Sequence, residues 1–192
     1  MDSLAREAVV PRLRGRFARE YTYVALTPST QVLLGPEAPE GAVVVAGEQT
    51  AGRGRLGRRW VAPAGTSLLF SIQLRPRVDP QRLPELTGVA AQATAEAIEA
   101  LVGRAPEIKE PNDLLIGGRK VAGVLAEARE ERVVLGIGIN VNIPDAGLPE
   151  DVDLPATSLL VETGRETDRA ELLVELLDRL ERRYDAWVSA AP

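Results

Sequence analysis

At 192 residues, with 45% hydrophobic and 27% charged residues, the chain suits one globular domain with a sizeable core. It has no cysteine and no histidine, which excludes disulfides, thiolate or imidazole metal sites, and every Ser–His or Cys–His catalytic pair. The net charge is −5, and the basic character concentrates in one arginine cluster, a distribution better matched to a small anionic ligand than to a nucleic-acid backbone. No apolar run approaches the roughly 18 residues of a membrane span, and the N-terminus has no signal-peptide core, so a cytoplasmic location away from the membrane is expected.

Residues 1–20 carry five arginines and little apolar periodicity, and are expected to form a basic extension to a domain at 21–192. The β-branched and aromatic run 21–26 predicts a strand. Thr27-Pro28-Ser29-Thr30-Gln31 follows as a turn whose hydroxyls could cap a short helix over 31–34. The apolar run 42–47 predicts a buried strand. It leads into Gly52-Arg53-Gly54-Arg55-Leu56-Gly57-Arg58-Arg59-Trp60, where glycine lets the backbone approach a ligand and the clustered arginines call for a shared anion such as phosphate. Gly52, Gly54 and Gly57 match the dinucleotide fingerprint, but that fingerprint needs a helix to open at its third glycine. Pro63 and Gly65 stand where the helix would run, so the segment reads as a loop.

Further strands are predicted over 67–74, 107–109, 114–116, 121–126 and 132–141, with Gly117-Gly118 marking a hairpin. Glycines inside the last strand mark a place where backbone or ligand comes close. A helix is predicted over 80–102, stopped by Gly103, and an amphipathic helix over 167–188, N-capped by Asp168 or Thr167. The Pro-, Asp- and Gly-rich stretch 144–165 reads as loop.

The rare residues add a second signal. The only two lysines are Lys109 and Lys120, and the only three asparagines are Asn112, Asn140 and Asn142. In a chain with 21 arginines, lysine held at a motif is not interchangeable with arginine, because a compact ammonium and a rigid guanidinium fork suit different sites.

Four motifs together resemble the catalytic domain of the biotin protein ligases. Residues 52–60 resemble that family's Gly-Arg-Gly-Arg-x-x-Arg-x-Trp loop, and Lys109-Glu110-Pro111-Asn112-Asp113 its Lys-Trp-Pro-Asn-Asp segment. Arg119-Lys120-Val121-Ala122-Gly123 resembles its Lys-hydrophobic-Ala-Gly segment, and 136–142 its Gly-x-Gly-Ile-Asn strand end. The departures are Glu110 in place of Trp and Gln31 where Asn usually follows Ser-Thr.

The resemblance implies an α+β fold, a mixed β-sheet flanked by helices of the class II synthetase-like kind shared with lipoate ligases. The family's C-terminal small β-barrel and N-terminal DNA-binding module are expected to be missing, so no DNA binding is expected. It also implies a two-step reaction. Biotin and ATP give biotinyl-5′-AMP and pyrophosphate, and the biotinyl group then passes to a lysine of a biotin carboxyl carrier protein. On this resemblance Lys120, Arg55 and Arg53 are the catalytic residues. Ser29, Thr30, Gln49, Arg53, Lys120 and Gly123 would bind biotin. Arg55, Arg58, Trp60, Asn112, Asp113 and Asn140 would serve the nucleotide, with Asp113 on Mg²⁺. The alternatives are a lipoate- or octanoyl-type acyltransferase of the same fold and a non-catalytic biotin-binding regulator. A homodimer is left open.

Overall fold

The computed structural model describes residues 2–149 and 154–190. Its centre is a seven-stranded sheet built from β1 (Tyr21–Thr27), β2 (Val43–Gln49), β5 (Ser67–Leu74), β6 (Glu107–Lys109), β7 (Asp113–Ile116), β8 (Arg119–Arg129) and β9 (Arg132–Asn140). The spatial order is β1-β2-β5-β9-β8-β7-β6, with β1 and β2 parallel and every other pair antiparallel. This is the mixed sheet expected.

Alternation along the strands divides the sheet into two unlike faces, since successive side chains point to opposite sides. Phe70 and Ile72 of β5, and Leu135, Ile137 and Ile139 of β9, join the main core with α2 (Glu85–Val102) and α4 (Arg169–Ser189). The intervening residues Ser71, Gly136, Gly138 and Asn140 fall on the other face. There the floor is low and polar, and the cavity described below opens over it. A second, smaller cluster of Leu34, Ala42, Val44 and Val134 closes one end of that face.

The helices follow from local chemistry. In α4, Leu172, Leu173, Leu176, Leu177 and Leu180 are buried on one face, and Asp168 caps the first turn through Ala170 N and Glu171 N. Asp168, not Thr167, is therefore the cap. Helix α2 ends where Gly103 takes φ 69°, a left-handed conformation that glycine adopts without a Cβ clash. The hairpin between β7 and β8 turns through Gly117 and Gly118, both at positive φ, as a two-residue primed turn requires.

Several expectations need correction. The helix predicted over 80–102 splits into a 3-10 turn, Pro80–Arg82, and α2 starting at Glu85, because Pro84 interrupts the backbone donors. The short helix at 31–34 is a 3-10 turn over Thr30–Val32, with Ser29 Oγ accepting from Gln31 N. The arginine–glycine loop holds a small antiparallel pair, β3 (Gly52–Arg53) with β4 (Arg59–Trp60). The stretch read as loop over 144–165 contains helix α3 (Leu159–Thr163), capped by Ser158 Oγ on Val161 N; its residues 150–153 lie outside the described residues.

The sequence reading made residues 1–20 an extension, but residues 2–20 pack into the domain. They contain α1 (Arg6–Val9), and Leu4, Val9, Phe17 and Ala18 belong to the main core. Tyr21 Oη donates to Leu4 O at 2.6 Å, and Arg16 pairs with Glu181 and Asp185 of α4. No helix among the described residues is long and apolar enough to cross a membrane.

Candidate active site

The polar face of the sheet carries a cavity of about 410 Å³. Every residue that the resemblance assigns to catalysis, biotin or nucleotide lines it: Ser29, Thr30, Gln49, Arg53, Arg55, Arg58, Trp60, Asn112, Asp113, Lys120, Gly123 and Asn140. They come from five separate stretches of chain, which the sheet order brings together.

One end of the cavity is neutral and polar. Gln49, at the end of β2, accepts from Thr30 N at 2.7 Å and from Thr30 Oγ1 at 3.2 Å through its Oε1. Thr30 Oγ1 has a single proton, so in giving it to Gln49 it accepts from Ser71 Oγ at 2.7 Å. The chain Ser71–Thr30–Gln49 thereby fixes the Gln49 amide, with Oε1 occupied and Nε2 left as a donor beside Gly52. Ser71 is fully buried; the sequence placed it in a strand, but its role as anchor for Thr30 was not legible there.

The other end is charged. Lys120 Nζ lies 2.6 Å from Asp113 Oδ1 across the β7–β8 hairpin. The Lys120 backbone is clamped by residues 155–157: its N donates to Pro155 O at 2.7 Å, and its O accepts from Thr157 N at 2.9 Å. Asn140 ties the same segment down through Nδ2 to Thr157 O at 3.0 Å, leaving its buried Oδ1 without a partner among the described residues. Asn112 holds the hairpin from below, accepting from Val124 N through its backbone carbonyl.

Between the ends, the floor is glycine. A Cβ on Gly138 would come within 2.7 Å of the Trp60 indole, and one on Gly123 within 3.0 Å. The indole lies close against both and has its ring centroid 5.5 Å from Lys120 Nζ, a cation–π distance. Its Nε1 is buried with no partner among the described residues.

The arginines of 52–60 reach over this floor. Arg53 pairs with Glu127 at 3.7 Å, and Arg59 donates to Thr50 O. Leu56 holds the loop tip at φ 56° and is 88% exposed, so the loop stands out from the body.

Two residues of the Lys109–Asp113 segment fall elsewhere. Lys109 is exposed on β6 and Glu110 follows it at the surface, and neither lines the cavity. The rarity of lysine therefore marked one cavity residue, Lys120, and one surface residue.

The matching family model is the Biotin/lipoate A/B protein ligase family, which covers residues 23–143, well over half the chain. The chain belongs to this family. Among curated proteins it is 45% identical over 152 residues to the bifunctional ligase/repressor BirA of Bacillus spizizenii, covering 77% of this chain and 47% of that one. It is 39% identical over 183 residues to the biotin–[acetyl-CoA-carboxylase] ligase of Mycobacterium tuberculosis, covering 91% of this chain and 67% of that one. Among solved structures, the biotin protein ligase of Aquifex aeolicus in complex with biotin and ATP superposes with a TM-score of 0.81 at 32% identity, over 90% of this chain and 73% of that one. The chain thus spans about half the length of the BirA relatives it matches. Family membership agrees with the cavity, because the matched span carries both its neutral and its charged end.

Proposed function

We propose that this biotin/lipoate ligase family member is an ATP-dependent biotin protein ligase. The observation that carries the proposal is the division of one cavity into a neutral donor–acceptor end, a glycine floor and a cationic end. That layout fits a ligand with a flat polar ring at one end and a carboxylate at the other. Relatives named as biotin ligases, and a structural neighbour described with biotin and ATP, support the same reading.

In this reading Gln49 Nε2 donates to the ureido carbonyl, with Ser29 and Thr30 beside it, and Gly123 lets the ring lie against backbone. The carboxylate comes to rest beside Lys120 and Arg53. Its oxygen attacks the α-phosphorus of ATP, the bond to the β-phosphate oxygen breaks, and pyrophosphate leaves. The charge that builds on the α-phosphoryl oxygens is met by Lys120, Arg55 and Arg58, so catalysis is positioning and electrostatic stabilisation. Lys120 leaves Asp113, and Arg53 leaves Glu127, for the incoming anions. In the second half-reaction a carrier lysine amine attacks the acyl carbon and AMP departs. Asn112 and Asn140 serve the nucleotide and Trp60 packs on its adenine side.

Magnesium fits as a companion of the nucleotide. Among the described residues no group of three carboxylates gathers, and a single aspartate with phosphate oxygens is how magnesium is ordinarily held. Asp113, once released by Lys120, would be that aspartate, and the ion would neutralise phosphate charge.

The test is the intact mass of protein and bound ligand after incubation with biotin, magnesium and ATP, followed by addition of a carboxyl carrier domain. Biotinyl-5′-AMP and then a biotinylated carrier are expected. Biotin bound without adenylate would sink the ligase reading and leave a biotin-binding protein.

A further inference from the structure

Glu162 on α3 does not line the cavity, yet it grips both chains that meet at Lys120. Lys120 and Ala156 form an isolated parallel bridge, with Ala156 in the cavity lining. Thr157 follows Ala156 in the strap 155–157, and Arg119 precedes Lys120 on β8. One oxygen of Glu162, Oε1, accepts from Thr157 Oγ1 at 2.6 Å and from Arg119 Nη2 at 2.7 Å. A single carboxylate thus ties the two sides of the bridge together. Thr157 is fully buried and the Glu162 side chain is only 11% exposed, so water competes poorly for these bonds.

Helix α3 has its own footing without Glu162. Ser158 Oγ donates to Ile143 O at 2.6 Å, Leu160 N donates to Val141 O at 2.9 Å, and Leu159 is buried in the main core. The carboxylate is therefore presented from a fixed base. Lysine carries its charge on a flexible four-carbon stem. In the proposed reaction its ammonium leaves Asp113, and the clamp on its backbone is then what remains to place it. We propose that Glu162 is a positioning residue for adenylate formation: through Thr157 and Arg119 it holds the strap against Lys120 and sets where the ammonium meets the developing phosphoryl charge. The proposal rests on the ligase reading of the cavity. Misplacing such a group by about 1 Å can cost about 100-fold in rate.

Biotin-dependent pyrophosphate exchange tests this in Glu162→Ala, Glu162→Gln, Thr157→Val and the double variant Glu162→Ala with Thr157→Val. Rates are expressed per biotin-binding site, counted by calorimetric titration, so that partial unfolding does not mimic the effect. Glu162→Ala is expected to lower kcat about tenfold or more, the loss of one hydrogen bond to a charged group. The biotin dissociation constant should change less than about threefold, because the loss falls on the transition state. Glutamine keeps an oxygen for Thr157 to donate to, so Glu162→Gln should recover most of the rate. Thr157→Val should slow exchange as well, and the double variant should be no slower than the slower single one, because both changes break the same link. Wild-type kcat in Glu162→Ala overturns the proposal, and so does a double loss equal to the product of the single losses. If Glu162→Ala does not fold, Thr157→Val decides, since it leaves the pair with Arg119 in place: an unchanged kcat overturns the proposal and a lowered one supports it. Absence of exchange by the wild type would instead remove the ligase reading itself.

Discussion

Lys120 and Asp113 face each other across the β7–β8 hairpin, with Nζ and Oδ1 2.6 Å apart inside the cavity. A β-bulge between Leu114 and Leu115 shifts the register at this point, so Asp113 pairs with Gly123 while Leu115 pairs with Lys120. The shift brings the two charges together without either leaving its strand. Each holds the other in place.

Replacement of Lys120 by arginine keeps the charge but not the compact ammonium that the hairpin accommodates. Adenylate formation, followed by biotin-dependent pyrophosphate exchange, is expected to fall about 100-fold or more, the usual loss when one preorganised charge-stabilising donor is removed. Near-normal exchange in Lys120→Arg would remove this residue from the chemistry.

Thr30→Val deletes the hydroxyl that links Ser71 to Gln49, leaving the buried Ser71 Oγ short of a bond and Gln49 Oε1 held by Thr30 N alone. With one of its two anchors gone, the Gln49 amide is less firmly fixed. Biotin affinity should weaken about tenfold, with the ATP dissociation constant unchanged, as read by titration of each ligand. Equal loss of both ligands would point to a general fault in folding.

Phe17 lies in the segment whose composition suggested an extension, yet its ring packs 5.8 Å from that of Tyr184 on α4. Phe17→Ala is expected to destabilise the protein by about 3–5 kcal/mol, as large-to-small changes in a packed core do. Urea denaturation followed by circular dichroism measures it. A change under about 1 kcal/mol would mean that residues 2–20 sit loosely on the domain.

Acid should unfold the protein through its arginine-paired carboxyls. Arg16 holds Asp185 below the usual aspartate value, and Arg183 does the same for Glu96, each mainly through a hydrogen bond to the guanidinium. Groups whose folded pKa is depressed contribute stability that is present above their unfolded values and lost as pH falls through the folded ones. The urea midpoint should therefore hold steady from neutrality down to about pH 5 and drop below about pH 4. Asp185→Asn should shrink that drop, and an unchanged acid profile would count against the pair.

Much of this was readable without coordinates, for reasons that differ by element. Strand β5 runs over residues 67–74 as expected, since Arg75-Pro76 ends it, and all eight of its residues are buried. The glycines of β9 announced a close approach, and Trp60 makes it. What stayed hidden depends on partners distant in sequence. Residues 2–20 lack periodicity because they bury isolated anchors against α4 and do not form one amphipathic helix. Helix α3, at five residues, is too short to show a repeat. The polarity of Gln49 depends on which groups of Thr30 lie opposite, and only the folded sheet decides that.

The indole of Trp60 has a thermodynamic consequence. It rests on Gly123 and Gly138, the part of the floor that a ring would cover in the proposed biotin reading, so the ligand would compete with a side chain of the protein itself. On that reading, measured affinity would equal the intrinsic affinity scaled by the fraction of molecules whose indole stands clear of the floor. The same loop carries the arginines, so vacating the floor would also reposition the positive charge above it. Occupancy of the cavity and the position of the loop would then be one equilibrium.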